Sequence, residues 1–178
     1  GLKAIAEIYN LNGSLVKTYN RIADINSPSN TASLAFNLLL PTEKQQSDLS
    51  PVYFIKLKLT DNKGIVLSDN FYWKGTEKGD YRALNNLPKA KLAVKSKKQK
   101  KGEKNIIYAT IKNVGSSVAF CVRVTPVRSG DGERILPIMM NDNYFTLLRG
   151  ETKDIDIEFD TTLLEKGNYH LLVEAYNE

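Results

Sequence analysis

Apolar and polar residues alternate with a period of two wherever this sequence is apolar. The clearest case is residues 154–159, which read Asp-Ile-Asp-Ile-Glu-Phe. Successive side chains on a β-strand point to opposite faces, so this pattern gives a strand one apolar and one polar face. No long stretch has the 3.6-residue period of an amphipathic helix. The sequence therefore predicts an all-β fold.

The strand signals fall into two groups, separated by a Gly-, Asn- and charge-rich connection at 74–89 that ends in Leu87-Pro88. The first group has a tight hairpin at Asn12-Gly13, where both residues would supply positive φ angles. Its further strands are predicted at 31–39, 53–59 and 65–73. The second group has seven predicted strands, at 90–96, 104–112, 117–126, 133–139, 143–148, 152–159 and 168–176. This spacing is typical of a sandwich, so we predict two immunoglobulin-like β-sandwich modules in tandem, over residues 1–86 and 87–178.

Two strands of the second module each present a continuous apolar face. Fully burying one such side chain contributes about 1.5–3 kcal/mol, which favours a structural role over a binding surface. The predicted core residues are Val118, Phe120, Val122 and Val124 on one strand and Ile155, Ile157 and Phe159 on another.

The formal net charge of +5 comes largely from one lysine-rich stretch, and the balance is near neutral without it. Its members are Lys95, Lys97, Lys98, Lys100, Lys101 and Lys104. A nucleic-acid-binding protein would spread basic residues over a face with interleaved aromatic residues, so no nucleic-acid partner is predicted. We interpret the stretch as a solvated hairpin connection; an anionic-ligand patch is the alternative.

The sequence offers few residues for catalysis or metal binding. His170 is its only histidine and Cys121 its only cysteine, which removes the usual triads, zinc sites and internal disulfides. We interpret His170 as a surface or packing residue and Cys121 as a small apolar one. Asp61, Asn62 and Asp131 lack the spacing of a calcium loop. We therefore predict no catalytic residue, no metal and no cofactor.

The chain has no stretch of about 18 apolar residues, so no membrane partner is expected. It begins Gly-Leu, which we interpret as a cleavage scar on a piece of a longer protein.

Short segments between about residue 64 and residue 158 match one family in order. They include Asp69-Asn70-Phe71-Tyr72-Trp73, Asn113-Val114-Gly115 and, most specifically, Asn141-Asp142-Asn143-Tyr144-Phe145 followed by Gly150-Glu151. Through these segments the chain resembles the C-terminal part of family 2 glycoside hydrolases, in the exo-β-D-glucosaminidase and β-mannosidase branch. In that family the catalytic glutamates lie on a TIM barrel, and nothing here carries the motif around either.

The resemblance implies a non-catalytic accessory region of a glycoside hydrolase that acts on β-linked glucosaminides or mannosides. The expected partner is the parent's own catalytic domain, which the region would brace, with oligosaccharide contact as a further possibility. A carbohydrate-binding module and a generic interaction domain are the alternatives. The resemblance also implies a periplasmic or extracellular location.

Three groups of residues are candidate sites. Trp73 and Tyr72 could stack against sugar rings or contact another domain, and we expect Trp73 to be a buried aromatic residue at the module junction. The outward carboxylates of residues 154–158 are interpreted as the solvated face of a strand rather than a catalytic pair. Residues 141–143 are interpreted as turn residues whose side chains cap their own backbone.

Overall fold

The computed structural model describes residues 2–23, 48–164 and 167–178, and the long elements within them are all β-strands. The all-β prediction is therefore confirmed. Residue contacts divide the chain into two units, Gly1–Leu87 and Pro88–Glu178, which we describe separately. The predicted domain boundary after residue 86 stays a prediction. In the described ranges, no helix is both long and apolar enough to cross a membrane.

The described part of the first unit forms an antiparallel sheet of four strands in the order β2-β1-β3-β4. The strands are β1 (Leu2–Asn10), β2 (Leu15–Ala23), β3 (Val52–Thr60) and β4 (Val66–Gly75). The strand predicted at 31–39 lies outside the described residues.

Alternation in β1 buries Ala4, Ala6 and Ile8, as the period of two predicts. Ile8 lies opposite Ile55 of β3, and both pack with Tyr53 in a small apolar cluster. β3 departs from a simple two-faced strand, because all four residues from Val52 to Ile55 are buried. Both faces of the sheet are therefore covered at this end of the strand.

The Asn12-Gly13 turn is longer than the tight hairpin that the dipeptide predicts. β1 ends at Asn10 and β2 begins at Leu15, so four residues connect them. Gly13 has a φ of 83°, whereas Asn12 is not among the residues with positive φ. A type I′ turn needs positive φ at both central residues, so the longer loop, with a single left-handed glycine, replaces it here.

A bidentate ion pair lies in the connection after β4. Both Asp80 carboxylate oxygens accept hydrogen bonds from the Arg82 side chain, at 3.0 Å from Nε and 2.7 Å from Nη2. Oδ1 also accepts the Arg82 backbone N–H at 3.0 Å, ahead of a short 3₁₀ helix over Arg82–Asn86. The Arg82 side-chain hydrogen bond is the main cause that lowers the pKa of Asp80 to about 2.

We expect Arg82→Leu to raise the pKa of Asp80 toward the ordinary aspartate value of about 3.9. Because the pKa is lower in the folded protein, the interaction stabilises the fold fully at pH values above the pKa that Asp80 has in the unfolded chain. This contribution disappears as the pH falls through about 2. A ¹³C NMR titration of the carboxyl group measures the midpoint. Asp131, whose pKa is lowered first by the Arg128 side chain, is the unaffected control. An Asp80 midpoint unchanged by the substitution would contradict this assignment.

The second unit is an immunoglobulin-like sandwich of two sheets. One has the strand order β5-β6-β10-β8, and the other has the order β11-β7-β9. The strands are β5 (Leu92–Lys101), β6 (Lys104–Asn113), β7 (Ala119–Arg128), β8 (Met139–Met140), β9 (Phe145–Leu147), β10 (Thr152–Asp160) and β11 (Tyr169–Glu174). A second short 3₁₀ helix spans Thr161–Leu164.

The predicted core residues of β10 lie between the two sheets. Ile155 and Ile157 are completely buried and Phe159 is 2% exposed, so this prediction is confirmed. They belong to one apolar cluster that also contains Val122 and Val124 of the other sheet. This cluster holds the two layers together.

The other predicted core residues, Val118, Phe120, Val122 and Val124, are all buried as predicted, but a bulge in β7 prevents them from sharing one face. The pairing register with β9 shifts between Ala119 and Val122, and Cys121 has a left-handed φ of 50°. Ala119 therefore joins Val122 in the core cluster, although alternation predicts opposite faces for them. Phe120 is buried outside that cluster, with its ring edge-on to Tyr176 at 5.9 Å between centroids.

Two further predictions in this unit are wrong in detail. Most of the lysine-rich stretch lies within β5, and only Gly102 and Glu103 connect that strand to β6. Lysines can occupy the strand because β5 is the edge of its sheet and its residues after Leu92 are exposed. The strand predicted at 133–139 is replaced by a single bridge between Arg134 and Val127 and by the two-residue β8.

Candidate functional site

Trp73 and Tyr72 lie next to each other on β4, at the edge of the first sheet. Trp73 is 45% exposed and Tyr72 is 49% exposed, so the expectation that Trp73 is buried is wrong for this chain. The reason is position, because an edge strand is covered by a neighbour on one side only. As adjacent residues of one strand, the two rings point to opposite faces of the sheet. They therefore cannot form one continuous platform for a sugar chain.

The carboxylates of β10 point away from the core, as alternation predicts. Asp154 Oδ1 accepts a hydrogen bond from Thr110 Oγ1 at 2.7 Å, and Glu158 Oε1 lies 3.5 Å from Lys104 Nζ. Both partners belong to the neighbouring strand β6. These contacts are those of a solvated sheet face, so the strand interpretation accounts for these two carboxylates.

The segment before β9 caps its own backbone, as predicted, and also binds two other strands. Asp142 Oδ1 accepts the Asn143 N–H at 2.8 Å, and Asn143 Oδ1 accepts the Tyr144 N–H at 3.0 Å. Asn143 also pairs with the backbone of Val124 in β7, accepting its N–H at 2.8 Å and donating to its carbonyl at 3.1 Å. Asn141 makes similar bonds to β10. The polar segment thus connects the two sheets.

The remaining candidates have structural surroundings. Asp61 Oδ1 accepts the backbone N–H groups of Lys63 and Ile65, each at 2.8 Å, within its own turn. His170 is exposed, with Nδ1 3.2 Å from Ser129 Oγ. Cys121 is half-buried, and this burial raises its thiol pKa. A raised pKa lowers the thiolate fraction, which fits the interpretation of Cys121 as a small apolar residue.

One group of side chains was not anticipated from the sequence. Tyr144, Arg123 and Glu174 lie side by side on the outer face of the β11-β7-β9 sheet. Arg123 Nη2 lies 2.6 Å from Glu174 Oε2. The hydrogen bond to Glu174, followed by a smaller contribution from Tyr144, raises the pKa of Arg123. The sequence gives one indication of this group, because Tyr144 lies in the segment that most specifically resembles the family. Only strand pairing, however, brings the three residues together.

Comparisons with known proteins agree with this architecture. Residues 70–178 match the family described as the exo-β-D-glucosaminidase Ig-fold domain. The chain is 25% identical to an exo-β-D-glucosaminidase from Amycolatopsis orientalis, over 99% of this chain and 19% of that protein. It is 27% identical to one from Hypocrea virens, over 87% of this chain and 19% of the relative. The chain thus spans about a fifth of the length of these relatives.

The fold has a close counterpart among solved structures. The crystal structure of the Amycolatopsis orientalis exo-chitosanase superposes with a TM-score of 0.79 at 23% identity, over 99% of this chain and 23% of that one. The likeness extends to the first unit, which the family match covers only from residue 70. The resemblance inferred from short segments is confirmed, and the chain belongs to the family of exo-β-D-glucosaminidase Ig-fold domains.

Proposed function

We propose that this chain is a non-catalytic accessory region of a larger exo-β-D-glucosaminidase, where it braces the catalytic domain of the same polypeptide. The observation that carries the proposal is the alignment of relatives with that name along nearly the whole chain, which nevertheless spans only a fifth of their length. The catalytic domain of such an enzyme would lie in the remaining four-fifths. The substrate class is a β-linked glucosaminide.

The roles of the carboxylates in the sandwich support a non-catalytic assignment. Glycoside hydrolysis usually needs two carboxyl groups placed on either side of the bond to be cleaved, about 5–10 Å apart depending on mechanism. The side chains of Asp154 and Glu158 are both engaged by β6, as Glu174 is by Arg123. Each of these groups stabilises pairing between neighbouring strands.

A carbohydrate-binding module is the second candidate, and the exposure of Trp73 and Tyr72 is the observation that favours it. Aromatic faces stack on the apolar faces of sugar rings, but a long oligosaccharide needs several rings on one side. The opposite orientations of these two residues place only one of the two rings on each face of the sheet. We therefore rank sugar binding below the bracing role. A periplasmic or extracellular location for the parent remains part of the proposal, on the family resemblance alone.

The full-length parent is expected to hydrolyse p-nitrophenyl β-D-glucosaminide, whereas residues 1–178 alone should give no turnover above background. Calorimetric titration of residues 1–178 with chitosan oligosaccharides should show no binding, because bracing needs no sugar site. Turnover by residues 1–178 would contradict the non-catalytic assignment. A saturable heat of oligosaccharide binding that disappears in the Trp73→Ala variant would favour the carbohydrate-binding candidate. A full-length parent inactive on glucosaminides would contradict the assigned substrate class.

A further inference from the structure

The two outer faces of the second unit differ sharply in chemistry. The outer face of the β5-β6-β10-β8 sheet is dominated by charged side chains. These are Lys95, Lys97 and Lys101 of β5, Lys104 and Lys112 of β6, and Asp154, Asp156 and Glu158 of β10. A strand face with this many charges is typical of a surface that stays in water.

The outer face of the β11-β7-β9 sheet, which we call the tyrosine face, has few charged residues. Its exposed and half-buried residues include Arg123, Thr125, Tyr144, Thr146, His170, Leu172, Glu174 and Tyr176. Interfaces between proteins are enriched in Tyr and Arg and depleted in Lys, Glu and Asp. The tyrosine face has the composition of an interface, whereas the opposite face of the unit has that of a free surface.

Tyr144 is held in an unfavourable backbone conformation that turns its ring outward. Its φ is 58°, which is a true outlier for a bulky residue. The hydrogen bonds of Asn143 to Tyr144 and to Val124 maintain this conformation. The side chain is nevertheless 60% exposed, so it gains little from burial within this chain. Strained backbone of this kind clusters at functional positions such as ligand clamps and switch regions, so Tyr144 is a candidate for a role outside this unit's own packing.

The charge pair on the tyrosine face, Arg123 and Glu174, is compatible with burial. Arg123 and Glu174 are 2.6 Å apart and neutralise each other. Covering this face would therefore not leave an unpaired charge, which is the costly case for a buried ion. Phe120 packs beneath Tyr176 and gives that ring a fixed support. The tyrosine face thus presents rigid, amphipathic side chains rather than flexible lysines.

We propose that the tyrosine face is the surface on which the rest of the parent polypeptide docks, with Tyr144 as an aromatic anchor beside β9. This inference rests on the proposed function, because it takes the other four-fifths of the parent as the occupant. With six paired residues on each of β7 and β11 and three on β9, at about 4.8 Å between strands, the sheet itself presents about 250 Å², to which the flanking side chains of Tyr144 and Tyr176 add. Interfaces between domains of one chain bury about 600–1,500 Å² in total, half of it on each side. The face is therefore large enough for the smaller of these interfaces.

Thiol labelling in the full-length parent tests this proposal. Leu172→Cys places a thiol on the tyrosine face, and Thr152→Cys places one at the start of β10 on the charged face; both positions are exposed in this chain. Each variant is treated with N-ethylmaleimide, native and in urea, and peptide mass spectrometry reads the modification at each site. A covered thiol reacts only after local opening. At each position the labelling rate of the native protein is divided by the labelling rate in urea. We expect this ratio to be at least about tenfold lower for Leu172→Cys than for Thr152→Cys. Adding Tyr144→Ala to both variants should reduce the difference in relative labelling rate between the two positions.

Three outcomes would overturn the docking proposal. They are equal relative rates at the two positions, protection at Thr152→Cys alone, and protection at Leu172→Cys that appears only when chitosan oligosaccharide is added. The last result would assign the tyrosine face to saccharide binding. Turnover of p-nitrophenyl β-D-glucosaminide by the same samples is measured separately. Turnover without protection refutes only the docking surface, and protection without turnover refutes only the proposed activity.

Discussion

Replacing Phe159 by alanine is expected to lower the free energy of unfolding of the second unit by about 3–5 kcal/mol, the usual cost of removing a buried phenylalanine. Phe159 is 2% exposed, lies in the core cluster between the two sheets, and contacts the Tyr169 ring edge-on at 5.1 Å between centroids. The substitution removes both the apolar transfer energy and this ring contact. Domains of this size are stable by only about 5–15 kcal/mol, so the loss is a large fraction of the total.

Native-state hydrogen exchange at the Ile157 amide measures this loss. The exchange rate of that amide reports the opening of the second unit, whether or not the first unit is folded. Tyr108→Ala is the matched control. Tyr108 is an aromatic residue of the adjoining strand β6, but it lies on the outer face and is 42% exposed. Its removal should cost less than about 1 kcal/mol, as is usual for surface positions. Equal losses in the two variants would show that burial of Phe159 does not stabilise the sandwich.

Replacing Asn113 by alanine is expected to cost at least about 2 kcal/mol, although it removes only a small polar side chain. Asn113 is completely buried at the end of β6. Its Nδ2 donates to the carbonyl oxygens of Ser117 at 2.7 Å and Leu147 at 3.0 Å, and its Oδ1 accepts the Gly115 N–H at 3.0 Å. Each buried polar group left without a partner costs about 1–3 kcal/mol. The side chain therefore joins the two sheets through polar contacts.

A second variant and a matched control make the Asn113 prediction specific. Asn113→Asp keeps the acceptor for Gly115 but sets a carboxylate oxygen against two carbonyl oxygens, so it should be at least as destabilising as alanine. Asn105 lies on the same strand, and its Nδ2 is buried with no hydrogen-bond partner among the described residues. Asn105→Ala should consequently cost less than about 1 kcal/mol. The free energies of unfolding of the variants are compared by hydrogen exchange at the Ile157 amide, measured at increasing concentrations of denaturant. A loss at Asn105 equal to that at Asn113 would contradict the explanation.

Local pattern in the sequence was sufficient for much of the fold. Residues 154–159 alternate without interruption, and the structure buries Ile155, Ile157 and Phe159 while it exposes Asp154 and Asp156. The side-chain period of a strand is a property of the backbone alone, so regular pairing preserves it. The segments from Asp69 to Glu151 were likewise enough to identify the family.

Predictions failed where pairing or position in a sheet overrides the local pattern. The bulge at Cys121 shifts the register of β7 and exchanges the faces of Ala119 and Phe120, although the residues around it still read as a regular strand. The lysine-rich stretch reads as a solvated connection, but an edge strand with exposed side chains also accepts lysines. Trp73 reads as a buried residue at a module junction, yet it lies on the edge strand β4 and is exposed.

The sequence by itself determined that the chain is all-β, which side chains of the regular strands face inward, and which family it belongs to. Only the tertiary structure decided where β7 bulges, and it alone brought Arg123, Tyr144 and Glu174 into one row. Arg123 lies on β7, Glu174 on β11 and Tyr144 directly before β9, so their proximity depends on which strands pair and in what register. Alternation assigns a side chain to one of two faces of its own strand, but it carries no information about the neighbouring strand.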